Sequence, residues 1–132
     1  MAVLIDTDLF VDLERGVASA NVDRLIGEQE RAISVITVSE LLHGVHRASG
    51  ARRAQRSAFV EHLLAGLHAI PITDPVARVH ADIWAQLAER GEVIGAHDLW
   101  IAATALVHGL AVATGNAREF GRVPGLRVLT TV

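Results

Sequence analysis

Five short apolar runs alternate with stretches of helical periodicity, and that alternation limits the fold more than any other feature of the chain. Val3-Leu4-Ile5, Ile33-Ser34-Val35-Ile36, His68-Ala69-Ile70-Pro71-Ile72, Leu110-Ala111-Val112-Ala113-Thr114 and Leu126-Arg127-Val128-Leu129 each read as a strand. They are short, apolar and largely β-branched or small. The proline in the third run predicts an edge strand or an early end. Between the runs, Leu41, Leu42 and Val45 share one helical face. Phe59, Val60, Leu63, Leu64 and Leu67 share another, and Val76, Val79, Ile83, Trp84 and Leu87 a third. Asp74-Pro75 predicts the start of that third helix, with Asp74 as N-cap, and Gly91 its stop. Leu99 to Val107 is apolar nearly all round, which predicts a central helix covered on both sides. Strands alternating with helices imply an α/β fold with a mostly parallel sheet, helices on its faces and right-handed crossovers. No repeat, low-complexity segment or linker interrupts the pattern, and 132 residues suit one domain, 1–132.

Composition removes several classes of chemistry. The chain has no cysteine, so disulfides and thiolate sites are excluded. It has no lysine either; its 12 Lys-plus-Arg residues are all arginines. A net charge of −3 argues against bulk electrostatic binding of nucleic acid. Arg47, Arg52, Arg53 and Arg56 nonetheless cluster, as a solvated helix face or as a patch that meets phosphate. No run approaches a membrane span, and the N-terminus lacks the flanks of a signal peptide. A soluble, cytoplasmic protein is expected.

Acids stand where the strands end. Asp6, in Asp6-Thr7-Asp8, follows the first strand. Glu40 lies just past the second, in Thr37-Val38-Ser39-Glu40. Asp98 opens the central helix, and Thr114-Gly115-Asn116-Ala117-Arg118-Glu119-Phe120 follows the fourth strand. Each has a structural explanation. Thr37 and Glu40 fit a capping box, Asp98 suits the first turn of a helix, and Asp8 suits an N-cap. Capping does not require Asp6 at the end of a buried strand, nor acids at three strand ends on one edge. In open α/β sheets that edge holds the ligand. Crowded carboxylates raise one another's pKa, and a divalent cation relieves the crowding. Oxygen donors without a set of His or Cys ligands point to Mg²⁺ or Mn²⁺. Such ions activate water and stabilise charge on a phosphoryl group.

The Asp-x-Asp spacing also matches an aspartate-nucleophile phosphatase of the haloacid dehalogenase class. Those enzymes, like receiver domains, use a lysine to hold the aspartyl-phosphate charge, and the planar fork of arginine is no equivalent. Leu9-Phe10 also stand where glycine and threonine usually follow the second aspartate. The phosphatase reading is therefore weak.

Taken in order, Asp6-Thr7-Asp8, Glu40 after Thr37-Val38-Ser39, Asp98-Leu99-Trp100-Ile101-Ala102-Ala103 and Thr114 to Phe120 resemble the PIN domain. They are most similar to its VapC branch, the ribonuclease half of VapBC toxin–antitoxin modules. The resemblance implies a three-layer α/β/α sandwich with a five-stranded parallel sheet, and Mg²⁺- or Mn²⁺-dependent RNA cleavage. It assigns the metal-binding acids to Asp6, Glu40 and Asp98. A fourth ligand position falls on Asn116, with Glu119 one turn later, so either Asn116 or Glu119 completes the shell. Asp8 falls where the family has caps, and Thr7 and Thr114 line the site. The resemblance further implies an RNA substrate, transfer RNA among the candidates, a homodimer, and a VapB-like antitoxin pressing a peptide into the acidic cleft.

Other residues carry less. Glu40-x-x-His43 has no second copy, which a di-iron bundle requires. His43 and His46 lie three apart on a helix and read as a partly exposed pair. His97 reads as a loop histidine, or as a contact for substrate phosphate. Arg118 stands at the site edge. Trp84 and Trp100 fall in helical apolar patterns, so core or dimer packing is expected; 4% aromatics do not make a stacking platform. A second functional reading keeps the fold but not the chemistry: an interaction module, with Asn116 marking a weak nuclease.

Overall fold

The computed structural model describes residues 2–16 and 19–130. In chain order the elements are β1 (Ala2–Ile5), α1 (Thr7–Glu14), α2 (Ser19–Ile26), β2 (Glu30–Ser34), α3 (Val35–Arg47), α4 (Gly50–Ala65), β3 (His68–Ile70), α5 (Asp74–Glu89), α6 (Ala96–His108), β4 (Ala111–Ala113), α7 (Ala117–Phe120) and β5 (Val128–Leu129). The five strands form one sheet in the order β3-β2-β1-β4-β5. Every pairing is parallel, as the sequence predicts.

Side chains along the strands alternate between two cores, as the two-residue period requires. Val3, Ile5, Ile33, Ala111 and Ala113 face Leu9, Phe10, Val22, Leu41 and Val60 of α1–α4. Leu4, Ala32 and Val112 face Val76, Ile83, Leu87 and Leu99 to Ala105 of α5 and α6. Central strands are therefore apolar on both faces, as parallel sheets demand. The central helix α6 packs against β4, α5 and α3. Its one polar core residue, Thr104, donates its hydroxyl to the Trp100 carbonyl at 2.8 Å.

Several sequence expectations shift. The second run does not continue as a strand to Ile36. Ser34 ends β2 and caps α3, its side chain accepting from the Ile36 amide at 3.0 Å, so Val35 and Ile36 form the first turn of the helix. Thr37 is consequently inside α3 and fully buried, and the capping box with Glu40 does not form. The N-cap of α5 is Thr73, not Asp74. Asp74 lies in the first turn and pairs with Arg78 one turn on. Trp84 is 63% exposed, so it belongs to no core of this chain. The ring of Trp100 stacks on His80 at 3.6 Å, and burial pushes the His80 pKa below its ordinary value. Helix α2 escapes the run-by-run reading because its apolar face is short, with Val22 and Ile26 buried and Leu25 packed beside them. Among the described residues, no helix is long and apolar enough to cross a membrane.

Candidate active site

The chain runs outward from β1 to β2 and β3, then returns to place β4 on the other side of β1. The carboxyl ends of β1 and β4 thus flank the point where the strand order reverses, the place where such sheets open a crevice. Asp6 stands there. Its amide donates to the Ala113 carbonyl at 2.9 Å, which continues the β1–β4 ladder past the last strand residue. Its side chain has a double role. Oδ1 accepts from the Thr7 amide at 2.8 Å, so Asp6 rather than Asp8 caps α1. Oδ2 accepts from the Thr114 hydroxyl at 2.7 Å.

Glu40 reaches the same place from α3. Its Oε1 accepts from the Thr7 hydroxyl at 2.7 Å. Thr7 Oγ1 also lies 3.0 Å from Thr37 Oγ1. A threonine hydroxyl has one proton, so with that proton on the carboxylate, the buried Thr37 hydroxyl is left to donate to Thr7. The other oxygen of Glu40 lies 3.3 Å from Nδ1 of His97, which joins the site as an exposed neighbour.

Asp98 enters from the first turn of α6 and Asn116 from the turn after β4. The Asn116 carboxamide nitrogen donates to Glu119 Oε2 at 2.6 Å and lies 3.5 Å from Asp98 Oδ2. The Asn116 backbone amide donates to Thr114 Oγ1 at 2.8 Å, and that hydroxyl in turn serves Asp6. All five site residues expected from the sequence, Asp6, Glu40, Asp98, Asn116 and Glu119, therefore come together, joined by Thr7 and Thr114. The sequence left Asn116 and Glu119 as alternatives; the structure joins them by a hydrogen bond.

Asp8 does something other than the capping expected of it. Its Oδ1 accepts from the Gly115 amide at 3.3 Å. A Cβ on Gly115 would stand 3.0 Å from Asp8 Oδ2. The first turn of α1 is thereby held close against the turn that presents Asn116, and the fit leaves little room for a side chain. No residue spacing announces this contact, because the two turns meet only through the β1–β4 pairing.

Electrostatics register the crowding. Burial pushes the Asp6 carboxyl up to about 8, with the Asp8 and Asp98 charges adding to it and the Thr114 bond opposing it. Asp98 is raised to about 6, first by burial and then by Glu40 and Glu119. Asp8 is raised too, chiefly by burial. A carboxylate cluster that resists its own ionisation is the setting a divalent cation stabilises, and the donors are hard oxygens. Among the described residues, no three acids or imidazoles already form a ready coordination shell. Hydroxyl and amide donors from Thr7, Thr114 and Asn116 hold the carboxylate oxygens instead.

The model of the PIN domain family matches residues 3–126. The chain belongs to the PIN-domain family. Its curated relatives place it in the VapC branch. It is 36% identical to Ribonuclease VapC1 of Rickettsia felis over 131 residues, 98% of this chain and 96% of that protein. It is 38% identical to the tRNA(fMet)-specific endonuclease VapC of Salmonella typhimurium over 97 residues, 73% of this chain and 71% of that protein. Among solved structures it is similar to VapBC2 from Rickettsia felis bound to a DNA fragment from their promoter. The TM-score is 0.87, with 26% identity and 98% of both chains covered. The PIN-domain fold expected from the four motifs is thus the observed one.

Proposed function

We propose that this PIN domain is an endoribonuclease that depends on a divalent metal, Mg²⁺ or Mn²⁺, and acts as the toxin of a VapBC-type module. The observation that carries the reading is the convergence of Asp6, Glu40 and Asp98, from three separate elements, with two of the three held at raised pKa. These three are the residues that would hold the ion. When bound, a divalent ion activates water for attack on the phosphodiester and neutralises charge on the phosphoryl oxygens. Thr114 and Thr7 hold the Asp6 and Glu40 oxygens in place, as the partners of metal ligands do elsewhere. Asn116 keeps Glu119 beside Asp98, and adds a neutral donor where a further acid would add repulsion. His97, beside Glu40 and mostly exposed, is placed to contact a substrate phosphate bound at Glu40.

The names of the relatives support an RNA substrate, and the Salmonella relative's name supports transfer RNA as the first candidate. The VapBC2 neighbour supports a VapB-like antitoxin as partner. A homodimer is part of the same proposal; exposed Trp84 and Val93 offer apolar surface for it.

The test is cleavage of a transfer RNA pool and a broad RNA panel by antitoxin-free protein, with Mg²⁺, Mn²⁺ or chelator. Wild type should cleave only with metal. Asp6→Asn and Asp98→Asn should lose cleavage with the circular dichroism of wild type retained. A wild type that cleaves nothing with either metal would leave an interaction module as the better reading.

A further inference from the structure

The acidic cleft opens into a basic one. From Thr7, Glu40 and His97 it runs past His43 and Arg47 to Arg15 and Arg56, a trough of about 560 Å³. A second cleft of about 580 Å³ continues it, sharing Glu14, Arg15 and Arg56 and adding Arg52 and Phe59. Past Glu40 the two clefts are lined by four arginines and one carboxylate, Glu14. That carboxylate is already taken by Arg56, at 2.7 Å. A chain of net charge −3 has therefore gathered unbalanced positive charge along one channel leading from its acids.

The four arginines noted in the sequence divide by role. Arg53 donates to the Val45 and His46 carbonyls, and Arg56 to the Gly44 carbonyl as well as to Glu14. These two tie α4 to the last turns of α3 and to α1. The guanidinium groups of Arg47 and Arg52 have no hydrogen-bond or ion-pair partner among the described residues, and neither has that of Arg15 on the facing wall. All three are exposed at the trough.

We infer that Arg15, Arg47 and Arg52 bind successive phosphates of a single-stranded RNA whose scissile phosphate lies at the Asp6, Glu40 and Asp98 site. The inference rests on the ribonuclease reading and adds to it the direction in which the strand leaves the site. A phosphodiester brought to Glu40 must have its neighbours somewhere, and the trough is the channel that opens from Glu40. Guanidinium forks free of internal partners suit phosphate oxygens, which they can bind through two parallel hydrogen bonds. A scarcity of aromatic side chains along the trough makes this contact one to backbone rather than bases, so it carries affinity rather than sequence choice.

The experiment measures equilibrium binding of a short, labelled, mixed-sequence single-stranded RNA to antitoxin-free full chain, in chelator so that nothing is cleaved, across a salt series. Each lost phosphate contact should reduce the slope of log K against log salt by about 0.7. Arg15→Ala/Arg47→Ala should therefore reduce it by about 1.4 and weaken binding by roughly tenfold at 0.1 M salt. Arg52→Ala should reduce it by about 0.7. Arg78→Ala, which removes the same charge from α5 where Arg78 pairs with Asp74, should leave the slope unchanged. Arg15→Lys/Arg47→Lys should recover most of the slope. If wild type cleaves RNA but the Arg15/Arg47 variant has the slope of the Arg78 variant, the trough assignment falls and the nuclease reading stands. If wild type neither cleaves nor binds RNA, both fall together. If the variant keeps RNA affinity but loses its cognate antitoxin, the trough docks protein and the inference is overturned.

Discussion

Thr114 Oγ1 donates to Asp6 Oδ2 at 2.7 Å and accepts from the Asn116 amide at 2.8 Å. One hydroxyl thus joins the end of β1 to the turn after β4, across 108 positions of sequence. Thr114 is fully buried, so nothing from solvent replaces it. Thr114→Val keeps the shape and removes both bonds. We expect a loss of about 1–3 kcal/mol in chemical denaturation, the cost of leaving buried partners unmade. We also expect metal affinity or cleavage to fall about 10- to 100-fold, as for other residues that orient a ligand. Metal titration followed by cleavage separates the two effects: a fold-only role would lower stability and leave the metal requirement of the remaining activity unchanged.

The raised Asp6 pKa gives metal-free stability a definite pH dependence. Unfolded, the carboxyl ionises near 3.8; folded, it holds its proton to about 8. The folded state therefore binds more protons between those values, and stability falls as pH rises through that window. Asp98, raised to about 6, adds to the loss in the lower part of it. His80 acts in the opposite sense, because its folded pKa is lowered and acid favours the unfolded chain. The cleanest range is thus pH 6.5–8, bounded by the ordinary histidine value and the raised Asp6 value. In chelator, the melting temperature should drop across this range, and Asp6→Asn should flatten the drop. The variant should also melt higher than wild type at pH 8, by on the order of 5 °C. Millimolar Mg²⁺ should raise the wild-type curve most at the alkaline end, because an ion that binds only the folded state stabilises it. A metal-free profile rising toward pH 8 would contradict the burial of an ionisable Asp6.

Asn116 holds two acids together without adding a third charge. Asn116→Ala removes the 2.6 Å bond to Glu119 and the longer contact to Asp98. Cleavage should fall about 10- to 100-fold, with little change in melting temperature, since the side chain is only half-buried. Asn116→Asp is the informative companion. It adds like charge beside Asp98 and Glu119, so the metal-free protein should melt lower while its affinity for Mg²⁺ rises. Isothermal titration of both variants checks the opposed signs; equal effects on affinity would assign Asn116 a purely structural role.

The fold and the site were legible in the sequence to different depths. Val3-Leu4-Ile5 and Ala111-Val112-Ala113 are apolar at every position because both faces of a central parallel strand are covered, and such runs are plain to see. Pro71 marks the end of β3 because it has no amide to give the ladder. The boundary at Ser34 was hidden, since Val35 and Ile36 suit a strand by propensity and only a capping side chain turns them into a helix. Asp6, Glu40 and Asp98 could be singled out because Asp6 follows β1, Glu40 lies on the helix after β2 and Asp98 opens the apolar helix α6. The roles of Asp6 and Asp8 could not be divided correctly. Either carboxylate suits an N-cap, and the partner that occupies Asp8, the Gly115 amide, comes from the far end of the chain.

That last contact yields a prediction of its own. Gly115 has ordinary room for φ but not for a side chain, because a Cβ would lie 3.0 Å from Asp8 Oδ2. Gly115→Ala must push the Asp8 carboxylate away or move the turn that carries Asn116. We expect a stability loss of about 1 kcal/mol, at the mild end of overpacking, and a larger proportional loss of cleavage, since Asn116 moves with the turn. Asp8→Ala removes the obstacle and the hydrogen bond together, and should itself reduce cleavage. Because the two positions touch, their effects should not add: the double variant should be less impaired than the sum of the single variants, by about 0.5 kcal/mol or more in transition-state terms. Additive losses in kcat/KM would mean that Asp8 and Gly115 act on the site by separate routes, and that the α1 turn does not position Asn116.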